Sequence, residues 1–217
     1  MLTIYGVYRS RATRNIWLAE ELGIPFKSVP VTQGYRLKDP LAKDAPLNTQ
    51  SPDFLKINPN GHVPSADIDG LVMHESLAIN LYLAKKHGGP LAPANLQEDA
   101  MMTMWTIWAI TEVEGLALQV MRNRVALPEV ERDTKAATAA VEALKKPFAI
   151  LNDALASGHL VGGRFTVADI NVAECVRYAQ SAPELFTGAP KVKAWLDACH
   201  ARPAFKKMMA TRDAEPA

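Results

Sequence analysis

The sequence predicts two domains, a small α/β domain over residues 1–86 and an all-helical domain over residues 87–217. Three observations predict this. Residues 2–31 read as strand, helix and strand, the pattern of a right-handed parallel βαβ unit. Asp69-Gly70, a pair that tolerates φ > 0 at both turn positions, reads as a two-residue hairpin turn, and a helical run follows it. Beyond the breaker-rich stretch His87-Gly88-Gly89-Pro90-Leu91-Ala92-Pro93 no further strand pattern occurs.

The elements follow in chain order. Leu2-Thr3-Ile4-Tyr5-Gly6-Val7 alternates and is rich in β-formers, so it reads as a strand. Residues 11–22 form a helix with Ala12, Ile16, Ala19 and Leu22 on one face. Gly23 is placed to end it, with Pro25 shortly after. Residues 26–31 read as a second strand. Residues 32–56 are rich in Pro, Asn and Asp, with one short helical hint at 52–57; a connection this long points to a functional surface. Asn58-Pro59-Asn60-Gly61 is a turn, and Val63-Pro64 precedes the hairpin. Leu71-Val72-Met73 is the second hairpin strand, and residues 77–86 are helical.

In the second half, residues 96–124 read as one long helix carrying Met101, Trp105, Trp108 and Glu112, with Met102, Met104 and Ile107 adding apolar bulk. Residues 129–155 form a second, which Pro147 is expected to kink or break. Lys145 and Lys146 read as solvated. Thr166 with Asp169 three residues on is a capping box in which Asp replaces Glu, and Phe165 and Ile170 fit the flanking staple. Residues 190–201 form a further helix with Val192, Trp195, Leu196 and Cys199 inward. Residues 212–217 are expected to fray.

Composition excludes several functions. A net charge of +1 provides no broad basic field for nucleic acid. No apolar run reaches the roughly 18 residues of a membrane span. The first ten residues lack a basic stretch followed by an apolar core, so a secretory signal is not expected. Cys175 and Cys199 are far apart and outside any C-x-x-C, so neither a disulfide framework nor zinc is expected, and a reducing cytoplasm is the natural compartment. Both read as core residues. No histidine has metal-ligand spacing, and no metal is assigned.

The chemistry concentrates at two places. His74-Glu75-Ser76 leads into a helix, whose N-terminal N–H groups and dipole favour an anion. Ser76 adds a hydroxyl and Glu75 a carboxylate, which together suit a group bearing both carboxylate and ammonium. Pro64 has no N–H of its own. With a cis Val63-Pro64 bond, Val63 would present its N–H and C=O outward for an extended peptide to pair with. The other place is the loop Tyr8-Arg9-Ser10-Arg11 at the start of the first helix. A hydroxyl here can donate to a thiolate and lower its pKa. A fall of about two units from about 8.5 needs roughly 2.7 kcal/mol. One charge-assisted bond of about 1.5–3 kcal/mol supplies most of that. Ser10, Tyr8, Thr13 and a backbone N–H are the alternatives. Arg9, Arg11 and Arg14 add positive potential or lie on a solvated helix face.

Asn58, Pro59, Gly61, Val63 and Pro64, followed by a hairpin and then Glu75-Ser76, resemble the glutathione-binding half of cytosolic glutathione S-transferases, whose pattern is N-P-x-G-x-V-P and then E-S before a helix. The Thr166–Asp169 box is similar to the one in that family's helical domain. The resemblance covers essentially the whole chain. It implies an α/β thioredoxin-like N-terminal domain plus an all-α C-terminal domain, the glutathione S-transferase architecture. It also implies glutathione as co-substrate along Val63 and Pro64, its γ-glutamyl head at Glu75 and Ser76, and His62 and Gln50, with Lys43 a further candidate, near its glycine carboxylate. Ser10, four residues before Arg14 as in theta-like and many bacterial members, is implied as the thiol activator, with Tyr8 as the rival seen in other classes. An apolar electrophile, the Met/Trp helix contributing to its site, and a two-fold homodimer are implied as well. Departures are the 32–56 segment and the Tyr-Arg-Ser-Arg loop. Two other readings stay open: a glutathione-dependent reductase or isomerase, which would favour a Cys in that loop, and a non-catalytic glutathione-binding scaffold.

Overall fold

A four-stranded sheet of order β2-β1-β3-β4 organises the first part of the chain in the computed structural model, which describes residues 1–216. β1 (Leu2–Tyr5) pairs in parallel with β2 (Phe26–Val29) across α1 (Thr13–Leu22), as the βαβ reading expects. β3 (Ser65–Ile68) runs antiparallel to both β1 and β4 (Leu71–His74). Ile68 pairs with Leu71, which leaves Asp69 and Gly70 as the whole turn, with φ 54° and 89°. Both strands at the start are shorter than the sequence pattern. Each ends at a loop that the site uses.

α1 stops at Gly23, whose φ of 63° is left-handed; Ile24 N–H then donates to Ala19 C=O at 3.1 Å. α1 is not the one-faced helix its periodicity describes. Trp17 and Leu18 are as fully buried as Ile16 and Ala19, because a last helix, α10 (Pro203–Ala214), comes back onto it. Contacts accordingly divide the chain into Met1–His87 with Pro203–Ala217, and Gly88–Arg202. A linear division at 86/87 cannot show this return. The fraying expected from residue 212 does not describe the helix, which is regular to Ala214; Ala217 lies outside the described residues.

The long 32–56 segment is ordered by Asn48. Its buried amide donates to Pro40 C=O at 2.8 Å and Pro46 C=O at 2.9 Å, while its Oδ1 accepts from Gln50 N–H at 2.9 Å. α2 (Pro52–Ile57) sits where the helical hint stood. α3 (Ser76–His87) closes this unit.

The second unit is helical among the described residues. α4 (Leu96–Trp108) continues through a widened turn at 109–114 into α5 (Gly115–Met121), so the long helix of the sequence reading is one run with π-type irregularities. α6 (Thr134–Ala154) is not broken by Pro147, which lies buried inside it. The helix loses one backbone bond there and keeps its apolar face against the core. α7 (Val167–Val176) carries the capping box and is buried along its length. α8 (Pro183–Gly188) and α9 (Pro190–Ala201) complete the unit. Cys175 and Cys199 are buried and outside any disulfide, as core residues should be.

Asp169 does more than cap. Its buried carboxylate accepts from Thr166 N–H at 2.8 Å, Trp195 Nε1 at 2.9 Å, Thr166 Oγ1 at 3.1 Å and Leu160 N–H at 3.3 Å. Each donor would be orphaned in a dry interior without it. Asp169→Ala is therefore expected to destabilise the protein by about 4 kcal/mol, against about 1 kcal/mol for Thr166→Ala, by urea denaturation. Equal losses would show that Asp169 acts only as a cap.

Candidate functional site

The site begins at Gly6, at the end of β1. Its N–H donates to Val29 C=O at 2.9 Å. Its φ of 150° is one that residues with side chains rarely adopt, and a Cβ there would lie 2.9 Å from Ala12 Cβ, 3.4 Å from Val63 Cβ and 3.5 Å from Ser10 Oγ. Three chain segments thus converge on a point that only glycine vacates. Ser10 and Val63, 53 positions apart by number, flank that point.

The Val63–Pro64 peptide is cis, and Pro64 is buried against the start of β3. Among the described residues the Val63 N–H and C=O have no hydrogen-bond partner. A half-buried residue with both backbone groups unpaired is uncommon, and an extended ligand backbone would satisfy both.

Ser10 Oγ donates to Val7 C=O at 2.6 Å and accepts from Ala12 N–H at 3.1 Å. The hydroxyl therefore caps the turn into α1 at rest. Thr13, the third hydroxyl considered, is fully buried and donates to Ser10 C=O at 3.1 Å, which turns it inward. Tyr8 has its phenol pKa raised, first by burial, then by Glu20 and Glu215, with Lys207 opposing. Those neighbours belong to α1 and the α10 region, and burial with the two carboxylates weakens the phenol as an acid.

Arg14 is not on a solvated face. It is buried at 1% exposure, and its Nη1 donates to Ser76 Oγ at 3.2 Å. Its charge thus lies beneath the first residue of α3 rather than on the surface. Arg11 is exposed, as its bland reading expects, and Arg9 folds back onto residues 213–215. Glu75, just before α3, has φ 69°, a left-handed conformation that costs a non-glycine residue on the order of 1 kcal/mol. Its C=O accepts from Ile79 N–H at 2.9 Å while its side chain stays exposed. Ser76 Oγ, already accepting from a guanidinium, keeps its own proton for an outward acceptor.

Two residues missed by sequence reading hold this arrangement. Asn15 Nδ2 donates to Ser76 C=O and to Asn80 Oδ1, both at 2.7 Å, and Asn80 Nδ2 donates to Arg14 C=O at 3.2 Å. The signal available was an uncharged amide on the inward side of each helix.

His62 and Gln50 lie on adjoining loops. A Cβ on Gly61 would meet Thr49 C=O at 2.8 Å. Both side chains are exposed; Gln50 lies over Gly34, and His62 C=O accepts from Asn58 Nδ2 at 2.8 Å. No described contact joins either to Ser10, Val63 or Ser76. On α4, Met102 and Trp105 are core, while Met101, Met104 and Ile107 are exposed and Trp108 stacks edge-on against Trp105 at 5.1 Å.

The N-terminal domain model of glutathione S-transferases matches residues 9–86, and the C-terminal domain model residues 100–203. Glutathione S-transferase 3 of Zea mays is 30% identical over 221 residues, covering 96% of this chain and 93% of the relative. Elongation factor 1-gamma 1 of Oryza sativa subsp. japonica is 33% identical over 193 residues, 85% of this chain but 45% of the relative. The crystal structure of the theta class glutathione S-transferase from Xanthomonas axonopodis pv. citri, with glutathione bound, superposes with a TM-score of 0.78 at 27% identity over 95% of each chain.

Asn15→Ala removes two buried bonds between α1 and α3, one to a backbone C=O and one to a side-chain amide. It is expected to destabilise the protein by about 3 kcal/mol in urea denaturation. A loss under about 1 kcal/mol would mean that the α1–α3 contact does not rely on these bonds.

Proposed function

The chain belongs to the glutathione S-transferase family, and from that premise we propose that it conjugates the glutathione thiolate to small apolar electrophiles. The observation that carries the reading is the convergence at Gly6 of a hydroxyl on one side and an unpaired Val63 backbone on the other. Glutathione pairs its backbone with Val63, beside Pro64. Its γ-glutamyl carboxylate meets the start of α3 at Ser76, whose hydroxyl donates to it above the buried Arg14 charge; its ammonium meets Glu75. His62 and Gln50 lie on the loops flanking the glycine end.

Ser10 then exchanges partners. Its proton leaves Val7 C=O for the thiolate, and a bond to a charged acceptor, about 1.5–3 kcal/mol, outweighs a neutral one of about 0.5–1.5 kcal/mol. The thiolate attacks the electrophilic carbon, and the leaving group departs with the bonding pair. Tyr8 is the less favoured activator because burial, and then Glu20 and Glu215, raise the pKa of its phenol. Exposed Met101, Met104 and Ile107 on α4 offer an adaptable apolar surface on the helical unit, which a two-fold partner could cover. Reductase or isomerase chemistry is less well supported, since the loop holds no Cys.

The likeness to elongation factor 1-gamma, named for translation rather than for transfer, supports a second reading: a glutathione-binding scaffold without catalysis. A panel of aryl and alkyl halides with glutathione separates the two. Conjugation is expected, with Ser10→Ala lowering kcat/KM about fiftyfold at pH near 6.5 as the thiol midpoint rises about two pH units. Activity that survives the substitution removes Ser10 from its role. Glutathione binding with no turnover of any halide favours the scaffold.

A further inference from the structure

Just past α10, Glu215 does something the sequence reading of a frayed end does not anticipate. Its carboxylate takes two consecutive backbone donors of the Ser10 loop, Tyr8 N–H to Oε1 at 2.9 Å and Arg9 N–H to Oε2 at 2.8 Å. Its own C=O accepts from Arg9 Nε at 2.9 Å, and Asp213 C=O accepts from Arg9 Nη2 at 3.4 Å. From the other side, Arg9 C=O accepts from Arg36 Nη2 at 2.9 Å and Gln33 Nε2 at 3.4 Å. The gripped peptides lie between Val7, which accepts the Ser10 hydroxyl, and Ser10 itself. α10 is anchored well enough to serve as a fixed point. Phe205 meets Trp17 edge-to-face at 4.9 Å, Lys207 pairs with Glu20 at 2.7 Å, and Met208 is buried.

We infer that Glu215 is a positioning residue, which clamps the backbone of Tyr8 and Arg9 from α10 and so fixes where the Ser10 hydroxyl can point. The inference rests on the Ser10 reading above. Glu215 reaches no reacting atom; it acts through the loop. A carboxylate gripping paired N–H groups makes charge-assisted bonds, roughly twice as strong as neutral ones, so the loop is held stiffly. The Tyr8 and Arg9 N–H groups are thereby committed and do not serve a thiolate. The effect of the charge itself has the opposite sign to the positioning effect. Deleting a nearby carboxylate favours the thiolate, whereas loosening Ser10 disfavours it.

The test uses the full chain with Glu215→Ala and Glu215→Gln. It reads amide exchange at Tyr8 and Arg9 by NMR, the thiol ionisation midpoint of bound glutathione by ultraviolet absorbance, and kcat and KM for glutathione. In Glu215→Ala the two amides are expected to exchange about tenfold faster or more. The thiol midpoint is expected to rise about one pH unit, with kcat about tenfold lower below it and KM within about twofold. Glu215→Gln, which keeps one acceptor oxygen, is expected to fall between. A role confined to docking α10 would lower the melting temperature and leave midpoint and kcat unchanged, which overturns the inference. So does a midpoint that falls, or exchange at Tyr8 and Arg9 that is unaltered. A wild type that does not ionise glutathione sinks the Ser10 reading instead, and the exchange result then decides on the clamp alone.

Discussion

Asn15 donates from one amide to the Ser76 backbone and to Asn80, and Asn80 returns a bond to Arg14 C=O, all in a fully buried setting. Water cannot substitute for any of these partners, so α1 and α3 have one relative placement that satisfies them. That placement sets the distance between the Ser10 loop, at the start of α1, and Glu75-Ser76, at the start of α3. A ligand spanning from a thiol to an amino-acid head group needs this spacing held. The arrangement of the candidate site depends on that buried amide ladder more than on any residue a ligand would touch.

The same logic explains why charge is buried at Arg14. A guanidinium at 1% exposure is unfavourable unless its donors are used. Here it lies against Ser76, where a helix dipole already favours an anion. The left-handed backbone at Glu75 is the counterpart: a locally unfavourable conformation that the surrounding fold imposes. Under the proposed function both features suit a carboxylate at that helix start.

The helical unit uses a comparable device with no ligand in view. Asp169 gathers two backbone N–H groups, a hydroxyl and an indole N–H around one buried carboxylate. It thereby ties α7 to α9 and to the loop at Leu160. In each unit a short polar side chain, bonded to segments distant in sequence, specifies an arrangement that apolar packing alone would leave degenerate.

Much of this is determined by the sequence alone, because the signals are local. The Asp69-Gly70 turn, the Gly23 stop, the short helix at 52–57, the Thr166–Asp169 box and the pairing of Glu75-Ser76 with a helix start all follow from backbone preferences within a few residues. The order of these signals carried the family. The tertiary structure decided what depends on residues distant in sequence. Trp17 and Leu18 are buried because α10 returns to α1. Arg14 is buried because Ser76 lies opposite it. Asn48, Asn15 and Asn80 gain their roles from partners that periodicity does not reveal. Glu215, in a stretch whose composition reads as frayed, is ordered by two N–H groups more than 200 positions away. A hydrogen bond between distant segments leaves no mark on either segment's local pattern, and for that reason only the folded chain discloses it.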